Sequence, residues 1–311
     1  MIKKQLNESV KDSLKEKTKD RIHRFFLADK AIRGAFIYGT RMIKEMRANF
    51  DLGILETLVL GHAYLGCALL SSNLKGNDRI GLKIDCSGPV KGISVEANAY
   101  GEIRGFIKQP QISIDKPLED FNPSPFFGAG LLTVTKYLED AKQPYSGQIA
   151  LLYGSIAKDL ANYFYSSEQI PTVFNLSIKF NAKGEVSGAG GLFLQLMPDA
   201  AEELAKKLEI IIDGLPSIGN LIEEGKSADY IICESFKELA PQILNDSRVE
   251  FFCRCNEKQM LHYISMLPYK DKEEILENGP FPLQIRCHNC NSLYEFSKKQ
   301  ISSIFKLQSN S

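Results

Sequence analysis

The sequence lacks an excess of charge of either sign: its 311 residues carry 38 Lys and Arg against 38 Asp and Glu. A chain so balanced exerts no net pull on nucleic acid or on an anionic membrane, and neither is expected as a partner. It has no low-complexity tract, and 44% hydrophobic with 24% charged residues is the make-up of a soluble globular protein. No apolar core follows the first residue. MIKKQLNESVKDSLKEKTKDR is polar and carries acids, so no secretory leader is read and a cytoplasmic location is expected. No Gly-x-Ser-x-Gly elbow occurs, and His23, His62, His262 and His288 are scattered, so no hydrolase site is read. Phe127-Gly128-Ala129-Gly130 and Gly188-Ala189-Gly190-Gly191 lack the Lys-Ser/Thr of a phosphate loop and read as tight turns or close strand packing. The chain is not expected to be an enzyme.

One long hydrophobic run is present, from Leu52 to Leu70, but Glu56 and His62 interrupt it and no basic cluster flanks it closely. It reads as a helix buried in a core, not a membrane span, with His62 as a hydrogen-bonded core residue.

Along the chain, residues 1–28 read as helical and basic, with Leu14, Ile22, Phe25 and Phe26 as apolar anchors. KAIRGAFIY alternates as a strand, and two helices follow it. RIGLKIDC reads as a strand ending at Ser87-Gly88-Pro89, and GISVEANAYGEIRGFI as a hairpin turning near Tyr100-Gly101. LLTVTKY, GQIALLYG, TVFNLSIKF and EVSGAGGLFLQL are further strands, with a helix at SIAKDLANYFYSSEQ between them. Antiparallel hairpins with inserted helices predict an α+β fold.

The character changes at Met197-Pro198. Asp199 with Glu202 reads as an N-cap pair, and Leu204, Leu208, Ile211 and Ile212 follow at helical spacing up to Gly214-Leu215-Pro216. Residues 199–250 hold twelve acids against five bases, whereas residues 1–50 hold thirteen bases against six acids. The division expected is an N-terminal mixed α/β domain over 1–197, an acidic helical linker over 198–250 and a small zinc-binding domain over 251–311.

Seven cysteines in a cytoplasmic chain do not suggest a disulfide framework. Cys67, Cys86 and Cys233 lie in apolar runs and are expected to be inert core residues. The other four stand in two tight pairs, Cys253-x-Cys255 and Cys287-x-x-Cys290. Two pairs of thiolates are the donor set of one tetrahedral Zn²⁺, which leaves no open position for a water nucleophile. Such a site contributes roughly 10–16 kcal/mol of apparent binding energy. A whole domain is stable by only about 5–15 kcal/mol, so a small unit around the site is expected to depend on its metal. Thiolates are also the oxidisable form of cysteine, and each has a partner nearby. Three readings follow from the spacing: a redox switch, a zinc-stabilised nucleic-acid-binding module, or a thiol oxidoreductase using Cys287 and Cys290. Residues 251–311 hold eight bases and six acids, and the −2 of a zinc tetrathiolate cancels that excess, which disfavours phosphate binding.

The paired cysteines, with Tyr294 and Phe296 after them, resemble a known family, the redox-regulated holdase chaperone of about thirty-three kilodaltons. AIRGAF, LGCALLSSNLK, SGPVKGISVEANAYGEIRGFI, PYSGQIAL, IAKDLANYFYSSEQIPT and SGAGGLFLQLMPDA extend the resemblance over nearly the whole chain. The resemblance implies zinc on Cys253, Cys255, Cys287 and Cys290 in an inactive reduced form. It implies that oxidation pairs Cys253 with Cys255 and Cys287 with Cys290, releases zinc and unfolds the C-terminal region and linker. The oxidised form would tend to dimerise and would bind unfolded client proteins without ATP. A Cys-x-Cys disulfide closes a very small ring and should be easily reduced again. The segment to about residue 18 is longer than the family's, His288 sits inside Cys-x-x-Cys as a solvated turn residue, and Leu267-Pro268 replaces a glycine turn.

Overall fold

The computed structural model describes residues 1–4, 20–113, 121–198 and 200–308. Leu14 and Asp199, expected as an anchor and a cap, lie outside the described residues, as do 5–18 of the N-terminal extension.

The fold is α+β, as expected. It opens with β1 (Arg21–Leu27) and β2 (Ile32–Tyr38), followed by helices α1 (Thr40–Phe50) and α2 (Ile54–Ser71). The helical reading of residues 1–28 is therefore corrected: 21–27 form a strand, Ala28 lies in a turn, and residues 1–4 are not helical. In RIHRFFL the side chains of Ile22, Phe25 and Leu27 are buried, and β1 is held between two antiparallel partners. Next come β3 (Arg79–Cys86), β4 (Gly92–Asn98), β5 (Glu102–Ile107), β6 (Gly130–Tyr137) and β7 (Tyr145–Ala150). Helix α3 (Ile156–Tyr163), prolonged by one wider turn to Glu168, leads to β8 (Thr172–Phe180) and β9 (Val186–Leu196). These follow the expected strands and helix, except that Leu151–Gly154 turns away from β7.

Two sheets result. The first has the order β10-β1-β2-β9-β8 and the second β11-β5-β4-β3-β6-β7, where β10 is Gln242–Arg248 and β11 is Glu250–Phe251. The apolar run expected as a core helix is α2. It contacts strands of both sheets and buries all but two of its eighteen residues. That burial is the reason a span-length helix belongs to the core here. His62 of α2 departs from its expectation: its Nε2 has no hydrogen-bond partner, and burial pushes its pKa down to about 4, so it stays neutral.

Between the sheets' strands, residues 202–235 form α4 (Glu202–Asp213), α5 (Ile218–Glu223) and α6 (Ala228–Ser235). Ala201, not a side-chain cap, precedes α4. Leu204, Leu208 and Ile211 of α4 lie with Ile222 and Ile232 against Phe25, Phe36, Leu192 and Leu194 on the outer face of the first sheet. Residues 242–248 extend as β10 instead of continuing helical, because β1 offers them a free edge. One residue, Val249, then separates the edge of the first sheet from the edge of the second. Its N–H donates to Asp20 O at 3.2 Å and its side chain is buried. The chain ends with α7 (Glu257–Ser265), α8 (Tyr269–Asn278), the hairpin β12 (Leu283–Arg286) and β13 (Leu293–Phe296), and α9 (Lys298–Gln308).

Candidate metal centre

The four paired cysteines are brought together, and the main fold does much of the positioning. Strand β11 runs parallel to β5, with Glu250 opposite Glu102 and Phe251 opposite Ile103. Phe251 is fully buried against Phe50 and Tyr64, which fixes where the chain leaves the sheet two residues before Cys253. The second pair sits in a tight turn closing the β12–β13 hairpin. Cys287 O accepts from Cys290 N at 3.3 Å and Asn291 N at 2.7 Å, and Cys287 N donates to Ser292 O at 3.0 Å. Asn291 adopts φ of 55°, a left-handed conformation that asparagine tolerates. Gly105 N of β5 donates to Asn289 O at 3.0 Å, Asn49 Nδ2 donates to Cys290 O, and Asn291 Nδ2 donates to Asn49 O at 2.9 Å. Both pairs are therefore seated on β5 and the end of α1.

All four Sγ atoms lie within 4.8 Å of one another and all four residues are buried. Cys253 Sγ is 3.8 Å from Cys287 Sγ, and Cys255 Sγ is 3.4 Å from Cys290 Sγ. Bonded sulfurs would lie at about 2.05 Å, so these are free thiols. A tetrahedron of thiolates at about 2.3 Å from a metal has edges of about 3.8 Å, which these separations approach. The donor set and spacing thus fit one tetrahedral metal ion.

Electrostatics point the same way. Hydrogen bonds from Cys287 and Cys290, with help from Arg104, hold the Cys253 thiol far below its usual range. The same contact with Cys253 pushes Cys287 up to about 12 and Cys290 higher still, with burial adding to both. Four sulfurs in so small a space cannot all ionise unless a cation joins them.

A surrounding shell fixes the sulfurs. Arg104 Nη1 stands 3.9 Å from Cys253 Sγ while its Nη2 pairs with Glu96 at 3.2 Å. Tyr294 Oη lies 3.2 Å from Cys255 Sγ and donates to Cys255 O at 3.0 Å; Ser292 Oγ lies 3.1 Å from Cys290 Sγ. Arg254, between the first two cysteines, makes a two-toothed pair with Glu102 at 2.7 and 3.0 Å. Residues 1–4 lie across the same centre. The Met1 amino group donates to Cys255 O at 2.7 Å, Ile2 N donates to Ser292 Oγ at 2.9 Å, Lys4 N donates to Asn49 Oδ1 at 2.8 Å, and Lys3 pairs with Glu45.

The sequence alone did not single out Arg104, Asn49, Ser292 or residues 1–4. Arg104 had a local signal, alternating with inward residues along β5, but its partner lies 149 residues away. Of the other cysteines, Cys67 is buried as expected and its thiol is pushed up by burial. Cys86 is only half-buried, and Cys233 is exposed, which corrects the expectation of a core residue. In α6 the inward face is Ala228, Ile231 and Ile232, so the next position turns outward. His288 is exposed, as expected of a turn residue, with its ring 5.7 Å from Phe106.

Comparison with known proteins identifies the family. A family model described as Hsp33 protein matches residues 20–297. The chain is 32% identical to the 33 kDa chaperonin of Agathobacter rectalis over 92% of this chain and 99% of that one. It is 30% identical to the 33 kDa chaperonin of Aquifex aeolicus over 99% of this chain and 97% of that one. The crystal structure of the 33 kDa chaperonin, a heat shock protein 33 homolog, from Thermotoga maritima superposes with a TM-score of 0.85 at 28% identity. That match covers 94% of this chain and 100% of that one. With a family match of this extent and relatives of this identity, the chain belongs to the Hsp33 family of chaperones.

Proposed function

We propose that the chain is a cytoplasmic, ATP-independent holdase whose grip on unfolded clients is governed by the oxidation state of Cys253, Cys255, Cys287 and Cys290. The observation that carries this reading is the meeting of four buried thiols from two segments, both seated on β5 and α1. Bound to all four as thiolates, one Zn²⁺ would supply structural cross-linking and no open coordination position for catalysis. No enzymatic role is therefore assigned to the centre, and no specific observation favours a nucleic-acid partner or a thiol oxidoreductase.

In the reduced state the cysteine turns hold the C-terminal unit over β5, and residues 198–250 act as a linker lying on the first sheet. Peroxide oxidation of each neighbouring pair forms one S–S bond. Two thiolates give up two electrons, and one peroxide takes these with two protons and leaves as two waters. With Cys253–Cys255 and Cys287–Cys290 disulfides formed, no thiolate remains to hold the metal, and the unit of 251–311 loses the cross-link on which its fold depends. The surface it and the linker cover then becomes available to unfolded proteins and to a second copy, giving an oxidised homodimer.

The test is light scattering of a chemically denatured client, with reduced and with peroxide-treated protein, while zinc release is followed by a chromogenic chelator. Protection only after oxidation, in step with release of one zinc per chain, is expected. Equal protection in both states would sink the switch.

A further inference from the structure

The surface that opens can be named more closely, on the assumption that the oxidative switch operates. β5 is the full-length strand at one edge of the second sheet: β4 pairs along one side, and the two-residue β11 is all that pairs as strand along the other. Three outward backbone groups between Gly101 and Gly105 are nevertheless satisfied from the cysteine region, while Gly105 O accepts from Tyr64 Oη of α2 at 2.8 Å. Gly101 O accepts from Glu250 N at 2.9 Å, Ile103 O accepts from Phe252 N at 3.0 Å, and Gly105 N donates to Asn289 O at 3.0 Å. Every one of these partners stands within three residues of a paired cysteine. The ring of Phe106 is likewise met from the cysteine turn, by His288. The cysteine centre is thus the cover of a sheet edge.

An edge with unpaired N–H and C=O groups is a template for another strand, and proteins cover such edges for that reason. We infer that oxidation uncovers the outer edge of β5, Gly101 to Ile107, and that an extended segment of an unfolded client adds there as a strand. The backbone supplies recognition that ignores client sequence, as a chaperone for many clients requires. Phe106, half-buried on the face away from the core, can add apolar contact, while Ile103 and Ile107 face the core and stay there. The seat is shaped for extended chain, because β11 already occupies it in a parallel register.

Hydrogen exchange at single-residue resolution tests this, with reduced carboxymethylated α-lactalbumin as a permanently unfolded client. On peroxide treatment the amides of Ile103 and Gly105 are expected to lose protection. When client is added, their exchange should slow by about tenfold or more, while amides paired inside the second sheet change little. Deprotection with no recovery while client is demonstrably held would overturn the inference and leave the switch intact. Recovery without client, rising with protein concentration, would also overturn it by placing a second copy on the edge. Protection that survives oxidation would remove both the edge and the switch beneath it.

Discussion

Helix α2 and the C-terminal helices reach order by different means. Sixteen of the eighteen residues of α2 are buried between two sheets, and its neighbours come from many parts of the chain. In the C-terminal unit α7 buries Met260, Ile264 and Ser265 and α9 buries Ile301, while Ile275 and Leu276 of α8 are only half-buried. Burial at about 25 cal/mol per Å² can hold the first region together. The second buries fewer side chains in its helices, and four sulfurs stand where it meets β5. On the proposed function, one molecule then contains a region stable in its own right beside a region whose stability depends on the chemistry of its cysteines.

The sharpest way to break this contrast is Cys290→Ser. Losing one of four thiolates should weaken zinc binding by about 2.5–4 kcal/mol, a quarter of a whole site's, and disorder 252–308 while the main strands persist. Metal analysis and two-dimensional NMR check it; a C-terminal unit still ordered without metal would contradict the contrast. Leu60→Ala, in the middle of α2 and fully buried, should do the converse. It is expected to lower the stability of the main fold by about 2–5 kcal/mol, read by denaturant unfolding, with zinc stoichiometry unchanged.

A third test uses pH. Asp20, between Val249 and the start of α1, accepts from Met42 N at 2.6 Å and from Arg41 N at 3.2 Å. Burial outweighs these bonds and raises its pKa to about 7. The folded state then holds the proton more tightly than the unfolded chain. The resulting stability is fully present below about pH 4, falls by up to about 1.4 kcal/mol per unit above that, and is spent once pH passes about 7. Asp20→Asn should flatten this slope in the unfolding of the main fold; an unchanged slope would remove Asp20 as its source.

The smallest effect is expected at the strap of residues 1–4, which lies outside the family match and across the cysteine centre. Lys3→Glu replaces the pair with Glu45 by a repulsion. A partly exposed pair contributes about 0.2–1 kcal/mol, so zinc release under peroxide should quicken by up to about fivefold, and Glu45→Lys in the same chain should restore it. An unchanged rate would show that the strap does not guard the centre.

The sequence conveyed the contrast unevenly. Helix α2 was legible because an apolar run broken by Glu56 and His62 fits a core better than a membrane, and the meeting of four cysteines because Cys-x-Cys and Cys-x-x-Cys are specific local patterns. β1 was not legible: RIHRFFL follows a polar segment, and its strand character comes from β2 and β10, the latter more than two hundred residues away. The same pairing made a strand of 242–248 where acidic, mixed composition suggested helix. Cys233 was misplaced because hydropathy of a window says nothing about which face of α6 turns inward. Arg104, Asn49 and Ser292 were invisible for a related reason, since their roles exist only once distant segments meet at the centre.

The most direct test of the central claim is a comparison of amide exchange in the reduced, zinc-loaded chain and the peroxide-treated chain, segment by segment. The account predicts that protection is lost throughout 251–308 and in the linker at 202–235, while α2 and the paired strands β2, β3, β4, β8 and β9 keep theirs. Retention of protection in 202–235 and 251–308 after both disulfides have formed would contradict it.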